Sequence, residues 1–331
     1  MKRESEKSKR IKAPRPTRIL VTTDFSRNAE EALRFAVPLA QQLGGKITLL
    51  HTIDWKVNPQ MRSAPGIIDT MNKVAKDAAE DRLESLARTK VPQELLEKTI
   101  VEFAPAQVGI PETARDLKID LIVISTRGHT GLQRILLGST AARVVRYASC
   151  PVLTVRPVAG ATKVSGPKAA NLGPIVTRIL VPVVFSEGCT STVRFATTLA
   201  RTMQAQLTLL HVIAPLPLNC SRYIAEIQQY DAEVKLDAKQ KLKSLAATLP
   251  KDITSEVMLR QNIPHLGIIK AAREHRCDLI TLPTRDLTSL KDFVLGSTAE
   301  KVIRHAPCPV LTFNRHLTAT QKVTSKITTQ D

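Results

Sequence analysis

The chain has 331 residues, of which 43% are hydrophobic, 24% charged and 3% aromatic, and its formal net charge is +18. That length suits two domains, each able to bury about 68–70% of its unfolded surface, and the apolar fraction excludes an intrinsically disordered chain. No apolar run approaches the roughly 18 to 20 residues of a membrane span. The basic start lacks the apolar stretch of a secretory signal, and five cysteines without a C-x-x-C spacing argue against a disulfide framework or a zinc site. A soluble, cytoplasmic protein with reduced thiols is expected.

Residues 1–16 read as a basic arm. Among the first 18 residues eight Lys/Arg face Glu4 and Glu6, a net +6, with no apolar periodicity, which predicts a solvated segment. The β-branched run Arg18–Thr22 predicts a strand. After the polar turn Thr23, Asp24, Phe25 and Ser26, residues Ala32, Phe35, Ala36, Leu39 and Leu43 recur at helical spacing. Ile47–Leu50 is a second strand that runs into His51, Asp69–Thr89 a long charged helix, and Thr99–Phe103 a third strand. Gly109 and Pro111 interrupt the next helical stretch. An interior proline costs roughly 3 kcal/mol, so a short helix starting near Pro111 is expected. Leu121–Ile124 is continuously apolar, as a parallel strand buried on both faces requires. The loop from Ser125 through Gly128 and Gly131 leads to Gly138, Ser139 and Thr140, which open a helix running to Tyr147, and Val152–Val155 is the last strand.

The same order then repeats. Thr17–Val21 recurs as Thr177–Val181, Arg34–Ala36 as Arg194–Ala196, Thr48–His51 as Thr208–His211, Gly138–Thr140 as Gly296–Thr298 and Cys150–Thr154 as Cys308–Thr312. One duplicated unit therefore spans nearly the whole chain. In the second copy Pro264–Asp278 reads as a full helix. Gly160, Gly166, Pro167 and Gly173 mark a flexible connector. The expected organisation is an arm at 1–16, a first domain at 17–157, a linker at 158–174, a second domain at 175–315 and a loose tail at 316–331. Alternating strands and helices predict an α/β architecture. It would comprise two tandem doubly wound, Rossmann-like domains, each an open, mainly parallel five-stranded sheet with helices on both faces.

Ligands of such sheets sit beyond the carboxyl ends of the strands, where the strand order reverses. Gly128 and Gly131 tolerate positive φ and let a ligand approach the backbone. Gly138, Ser139 and Thr140 place free N–H groups, two hydroxyls and the positive end of a helix at one spot. The arrangement suits a polyanion such as a phosphate chain, and on spacing alone a tight turn without ligand remains the alternative. Asp24 likewise suits a helix N-cap as well as a ligand contact.

The stretch Asp120–Val155, together with Asp24–Ser26 and Leu49–Asp54, resembles the universal stress protein family. Nucleotide-binding members of that family carry G-x-x-G, nine residues, then G-[S/T]. Gly128, the nine residues His129–Leu137, and Gly138 with Ser139 match that spacing, while Ser125 stands where the family has its first Gly. The resemblance covers both copies. It implies a site for ATP, or for ADP or AMP, with any Mg²⁺ arriving on the nucleotide. Thr23, Asp24 and Thr52 would lie around the adenine and ribose, and Ser125, Arg127, Gly128, Gly131, Gly138, Ser139 and Thr140 around the ribose and phosphates. It also implies packing of the two copies through their last strands, leaving a homodimer open.

At the matching positions of the second copy stand Val184, Pro283, Asp286 and Ser289, although Gly296, Ser297 and Thr298 persist. An Asp repels phosphate and a Pro removes a backbone donor, so nucleotide is expected in the first domain only. His51 and His211 at equivalent strand ends are read as structural. His129 is a loop residue that would face phosphate or solvent, and Trp55 follows the second strand where it could cover an adenine. There is no Walker A sequence, no protein-kinase glycine set and no acidic metal cluster, so no catalytic residue is assigned and slow ATP hydrolysis is the most that is expected. The expected function is that of an ATP-binding stress-response and signalling module with an unidentified protein partner. The alternative is a stress protein that binds no nucleotide, or a basic scaffold that contacts nucleic acid or an anionic membrane surface; against the scaffold stand the scarce aromatics and the lack of a Lys/Arg-rich recognition helix.

Overall fold

Short runs rich in Ile, Leu and Val, with buried Thr among them, set the inner strands at the centre of the molecule. The computed structural model describes residues 16–54, 65–126, 137–156, 176–186, 189–215, 224–284 and 295–313. The first copy runs β1 (Arg18–Thr22), α1 (Arg27–Leu43), β2 (Lys46–Thr52), α2 (Pro65–Lys90), β3 (Leu96–Glu102), α3 (Ala106–Asp116), β4 (Leu121–Ser125), α4 (Ser139–Tyr147) and β5 (Val152–Val155). The second runs β6 (Arg178–Pro182), α5 (Cys189–Met203), β7 (Gln206–Ile213), α6 (Ile224–Ala247), β8 (Ser255–Gln261), α7 (Pro264–Glu274), β9 (Leu279–Pro283), α8 (Ser297–His305) and β10 (Val310–Phe313).

All ten strands join one sheet in the order β3-β2-β1-β4-β5-β10-β9-β6-β7-β8. Every pairing is parallel except β5 with β10, which run antiparallel with Leu153 opposite Leu311. The two hydroxyls at this junction act reciprocally. Thr154 donates to the Val310 carbonyl at 3.0 Å, and Thr312 donates to the Val152 carbonyl at 3.2 Å. The copies are thus related by a pseudo-twofold axis through the junction, and two five-stranded sheets become one.

Helices cover both faces. Residues of α1, α2, α5 and α6 pack into one core with Ile19, Val21, Leu49, Val123, Val181 and Leu209. Those of α3, α4, α7 and α8 pack into the other with Leu20, Ile122, Leu180 and Ile280. Each core runs through both copies, as expected for strands buried on both sides. Gln42 of α1 adds a polar tie across the copies: its Nε2 donates to the carbonyls of Val176 and Met203, both at 3.0 Å. At the amino ends of the strands, Asp120 accepts from the backbone amides of Thr17 and Arg18, and Asp278 does the same for Thr177 and Arg178. Among the described residues no helix is long and apolar enough to cross a membrane.

One expectation needs correction. The helix before β4 does not start near Pro111. It starts at Ala106, with Pro111 inside. The proline forgoes one hydrogen bond, to the Gln107 carbonyl, close to the helix start. That loss is offset by the burial of Ile110 and Ala114 and by Gly109, where a Cβ would come within 2.9 Å of the Ala104 Cβ and 3.4 Å of the Thr52 Cγ2. Close seating on the end of β2 holds the helix despite its local penalty.

Candidate functional site at the carboxyl ends of β1 and β4

Strand order reverses at β1, which lies between β2 and β4. The crevice beyond the carboxyl ends of β1 and β4 is therefore the place where this topology leaves room for a ligand.

The segment after β1 is tightly held. The Thr23 amide donates to the Leu50 carbonyl at 2.9 Å and the Phe25 amide to the Thr23 hydroxyl at 3.0 Å. The Ser26 amide donates to Asp24 Oδ1 at 3.0 Å. Asp24 therefore does not cap α1. Ser26 does, its hydroxyl accepting from the Ala29 amide at 3.2 Å. Asp24 fixes the turn that leads into the cap. Phe25 has a φ of 61°. That left-handed conformation is an outlier for a bulky side chain, and strain of about 1–3 kcal/mol persists only where the surroundings enforce it.

Two side chains brace the Phe25 ring. His51, at the end of β2, lies with its ring centroid 4.4 Å away and its Nδ1 2.9 Å from the Thr23 carbonyl. The Arg82 guanidinium of α2 lies 4.3 Å from the ring centroid on its face, a cation–π arrangement. Burial lowers the His51 pKa from its ordinary 6.5, aided by Arg82 and opposed by the Thr23 bond and by Asp24. Phe25 and Arg82 were not singled out from the sequence. Arg82 reads there as one more charge on a charged helix, and only comparison of the two copies hints at more. Lys241 of α6 sits 5.9 Å from the Phe185 ring, and His211 is 2.9 Å from the Val183 carbonyl.

Opposite this turn, β4 ends at Ser125 and buried Thr126. The Gly138 amide donates to the Thr126 carbonyl at 2.9 Å, which pins the start of α4 to the tip of β4. Gly138 is the N-cap and no side chain caps the helix. The amides of its first turn thus find no partner within the helix, and exposed Ser139 and half-buried Thr140 stand beside them. A Cβ on Gly138 would lie 3.1 Å from the Thr126 carbonyl oxygen, so the residue is small because the backbone passes close. Of the candidate residues, Thr23 and Asp24 lie past β1, Thr52 at the end of β2, Ser125 at the end of β4, and Gly138, Ser139 and Thr140 at the start of α4. Arg127, Gly128 and Gly131, as well as Trp55 and His129, fall outside the described residues. Among the described residues no cluster of three or more His, Cys, Asp or Glu could hold a metal ion.

The second copy keeps the frame and changes its lining. Exposed Val184 replaces Asp24, and the Ser186 amide bonds the Val184 backbone carbonyl at 2.8 Å where Asp24 offers its side chain. Pro283 ends β9 in place of Ser125, while the Gly296 amide still donates to the Thr284 carbonyl at 3.0 Å.

Fold and strand order define a pair of doubly wound α/β units, each with a topological switch point. The model of the universal stress protein family matches residues 16–156 and again 176–314, and the chain belongs to that family. A universal stress protein of Methanocaldococcus jannaschii is 34% identical over 146 residues, which cover 42% of this chain and 81% of that one. A relative from Thermus aquaticus is 33% identical over 138 residues, covering 42% of this chain and 97% of its own. Among solved structures, a universal stress protein of Archaeoglobus fulgidus superposes with a TM-score of 0.55 at 20% identity, covering 90% of this chain and 96% of its own. A Pseudomonas aeruginosa protein of unknown function superposes with a TM-score of 0.59 at 16% identity, covering 93% of this chain and 96% of its own. These two likenesses speak to the fold alone.

Proposed function

We propose that the first copy binds one adenine nucleotide, ATP or its ADP or AMP relative, in the β1–β4 crevice. The second copy would serve as its structural partner, in a cytosolic stress-response or signalling protein. The observation that carries this reading is the uncapped first turn of α4, pinned to Thr126 across the switch point from Asp24. Main-chain donors and a positive helix end suit phosphates, and a carboxylate suits the hydroxyls of a ribose. Ser125, Arg127, Gly128 and Gly131 would complete the phosphate side, and Thr23 and Thr52 the base and ribose side. Any Mg²⁺ would enter with the phosphates it neutralises.

The second copy differs where this chemistry is concentrated. Val184 offers no acceptor side chain and Pro283 no amide. The working units of the proposal are residues 17–157 and 175–315 joined by 158–174. Release of nucleotide from the purified, denatured protein tests the reading: it predicts one adenine nucleotide per chain. A chain that carries none, and that takes up none at millimolar ATP, would refute it.

A further inference from the structure

The structured charge of the molecule is unevenly placed. The long outer helices are balanced, α2 with five Lys/Arg against five Asp/Glu and α6 with four against four. By contrast α4 carries Arg143 and Arg146 with no acid, and α8 carries Lys301, Arg304 and His305 against Glu300 alone. Both helices cover the same face of the sheet, one on each side of the β5–β10 junction. Arg156, just past β5, reaches over to donate to the Arg304 carbonyl at 2.6 Å, and His265 of α7 lies close enough to Lys301 and His305 to feel their charge.

The cations occupy equivalent places in the two copies. Arg143 corresponds to Lys301 and Arg146 to Arg304, each pair at the same step of its helix. Positive charge thus persists through a duplication that exchanged Asp24 for Val184 and Ser125 for Pro283. Cations near helix carboxyl ends complement the helix dipole, which accounts for Arg146, Arg304 and His305. It does not account for Arg143 and Lys301, which lie a turn earlier, are exposed, and have no ion-pair partner among the described residues.

We infer that the face formed by α4 and α8 is a docking surface for the phosphate backbones of double-stranded nucleic acid, engaged without regard to sequence. Pseudo-twofold pairs of cations match a polyanion whose two strands are themselves related by twofold axes, and contacts to phosphate need neither stacking aromatics nor a recognition helix. A membrane surface fits less well. Lipid binding calls for apolar side chains to insert beside the cations, and Tyr147 is the sole exposed large hydrophobic residue on α4 and α8. The inference is independent of the nucleotide site.

The test is fluorescence anisotropy of a labelled random-sequence DNA duplex with the full chain, over a salt series, for the wild type and for Arg143→Gln with Lys301→Gln. Both residues are exposed, so the variant should keep its melting temperature. The basic arm is present in both proteins, so the difference reports this face alone. The expected result is binding weakened about tenfold, with the slope of log K against log salt reduced by about 2, near 0.9 per lost contact. Arg88→Gln with Lys243→Gln, on the balanced outer helices, should leave binding unchanged. The inference is overturned if the two pairs of substitutions act alike, if the wild type does not bind the duplex at low salt, or if it prefers phosphatidylserine vesicles to the duplex.

Discussion

The Nδ1 of His51 lies 2.9 Å from the Thr23 carbonyl oxygen. A carbonyl only accepts, so Nδ1 carries the proton and Nε2 is the nitrogen that titrates. The bond joins the end of β2 to the turn after β1, and its counterpart between His211 and Val183 survives in the copy that has lost Asp24. The histidine therefore belongs to the scaffold of the crevice.

Burial lowers the folded-state pKa of His51 below 6.5, with Asp24 and Arg82 acting in opposite senses. The unfolded chain then binds the proton more readily. The stabilising effect of the neutral ring is complete above pH ~6.5 and is lost as pH falls through the folded pKa. Thermal midpoints should fall between pH 7 and pH 5, and His51→Gln should flatten part of that fall. His265, also lowered by burial, supplies His265→Gln as a comparator. Equal slopes for wild type and His51→Gln would show that the ring does not titrate in this window.

Gln42 spans the two copies with two hydrogen bonds to carbonyls of the second. Its place in that copy is taken by Thr202, so the tie is asymmetric. Gln42→Ala leaves both carbonyls short of a donor and should cost about 1–3 kcal/mol. Urea unfolding monitored by circular dichroism measures the loss, and an unchanged midpoint would mean that water replaces the amide without penalty.

Thr281 in β9 is fully buried, and its hydroxyl has no hydrogen-bond partner among the described residues. The equivalent residue of the first copy is Val123, also fully buried. Thr281→Val keeps the shape and removes the unsatisfied group, so it should stabilise the protein by about 1 kcal/mol. A destabilised variant in the same urea assay would reveal a partner for the hydroxyl.

Much of the fold could be read from the chain because its signals are local and doubled. Leu121–Ile124 announced a strand buried on both faces, and the recurrence of Thr17–Val21 as Thr177–Val181 announced a second domain of the same kind. Pro111 misled because a local penalty was weighed without the packing of Gly109, which brings in Thr52, more than fifty positions away. The turn after β1 was legible as the segment beyond a strand end, yet its cap was not. Asp24 and Ser26 are both good caps, and only the geometry distinguishes the residue that bonds the Ala29 amide from the one that bonds Ser26. Arg82 was out of reach for a similar reason, since nothing near it in sequence foretells that it lies over Phe25.

The central claim is that one nucleotide is held between Asp24 and the first turn of α4, and isothermal titration of ATP into the full chain beside Asp24→Val tests it most directly. The substitution installs the residue that the second copy carries. The account predicts one site per chain in the wild type and affinity reduced at least about tenfold, roughly 1.4 kcal/mol, in a variant whose melting temperature stays close to that of the wild type. Two equivalent sites, no measurable binding, or equal affinity in wild type and variant would contradict it.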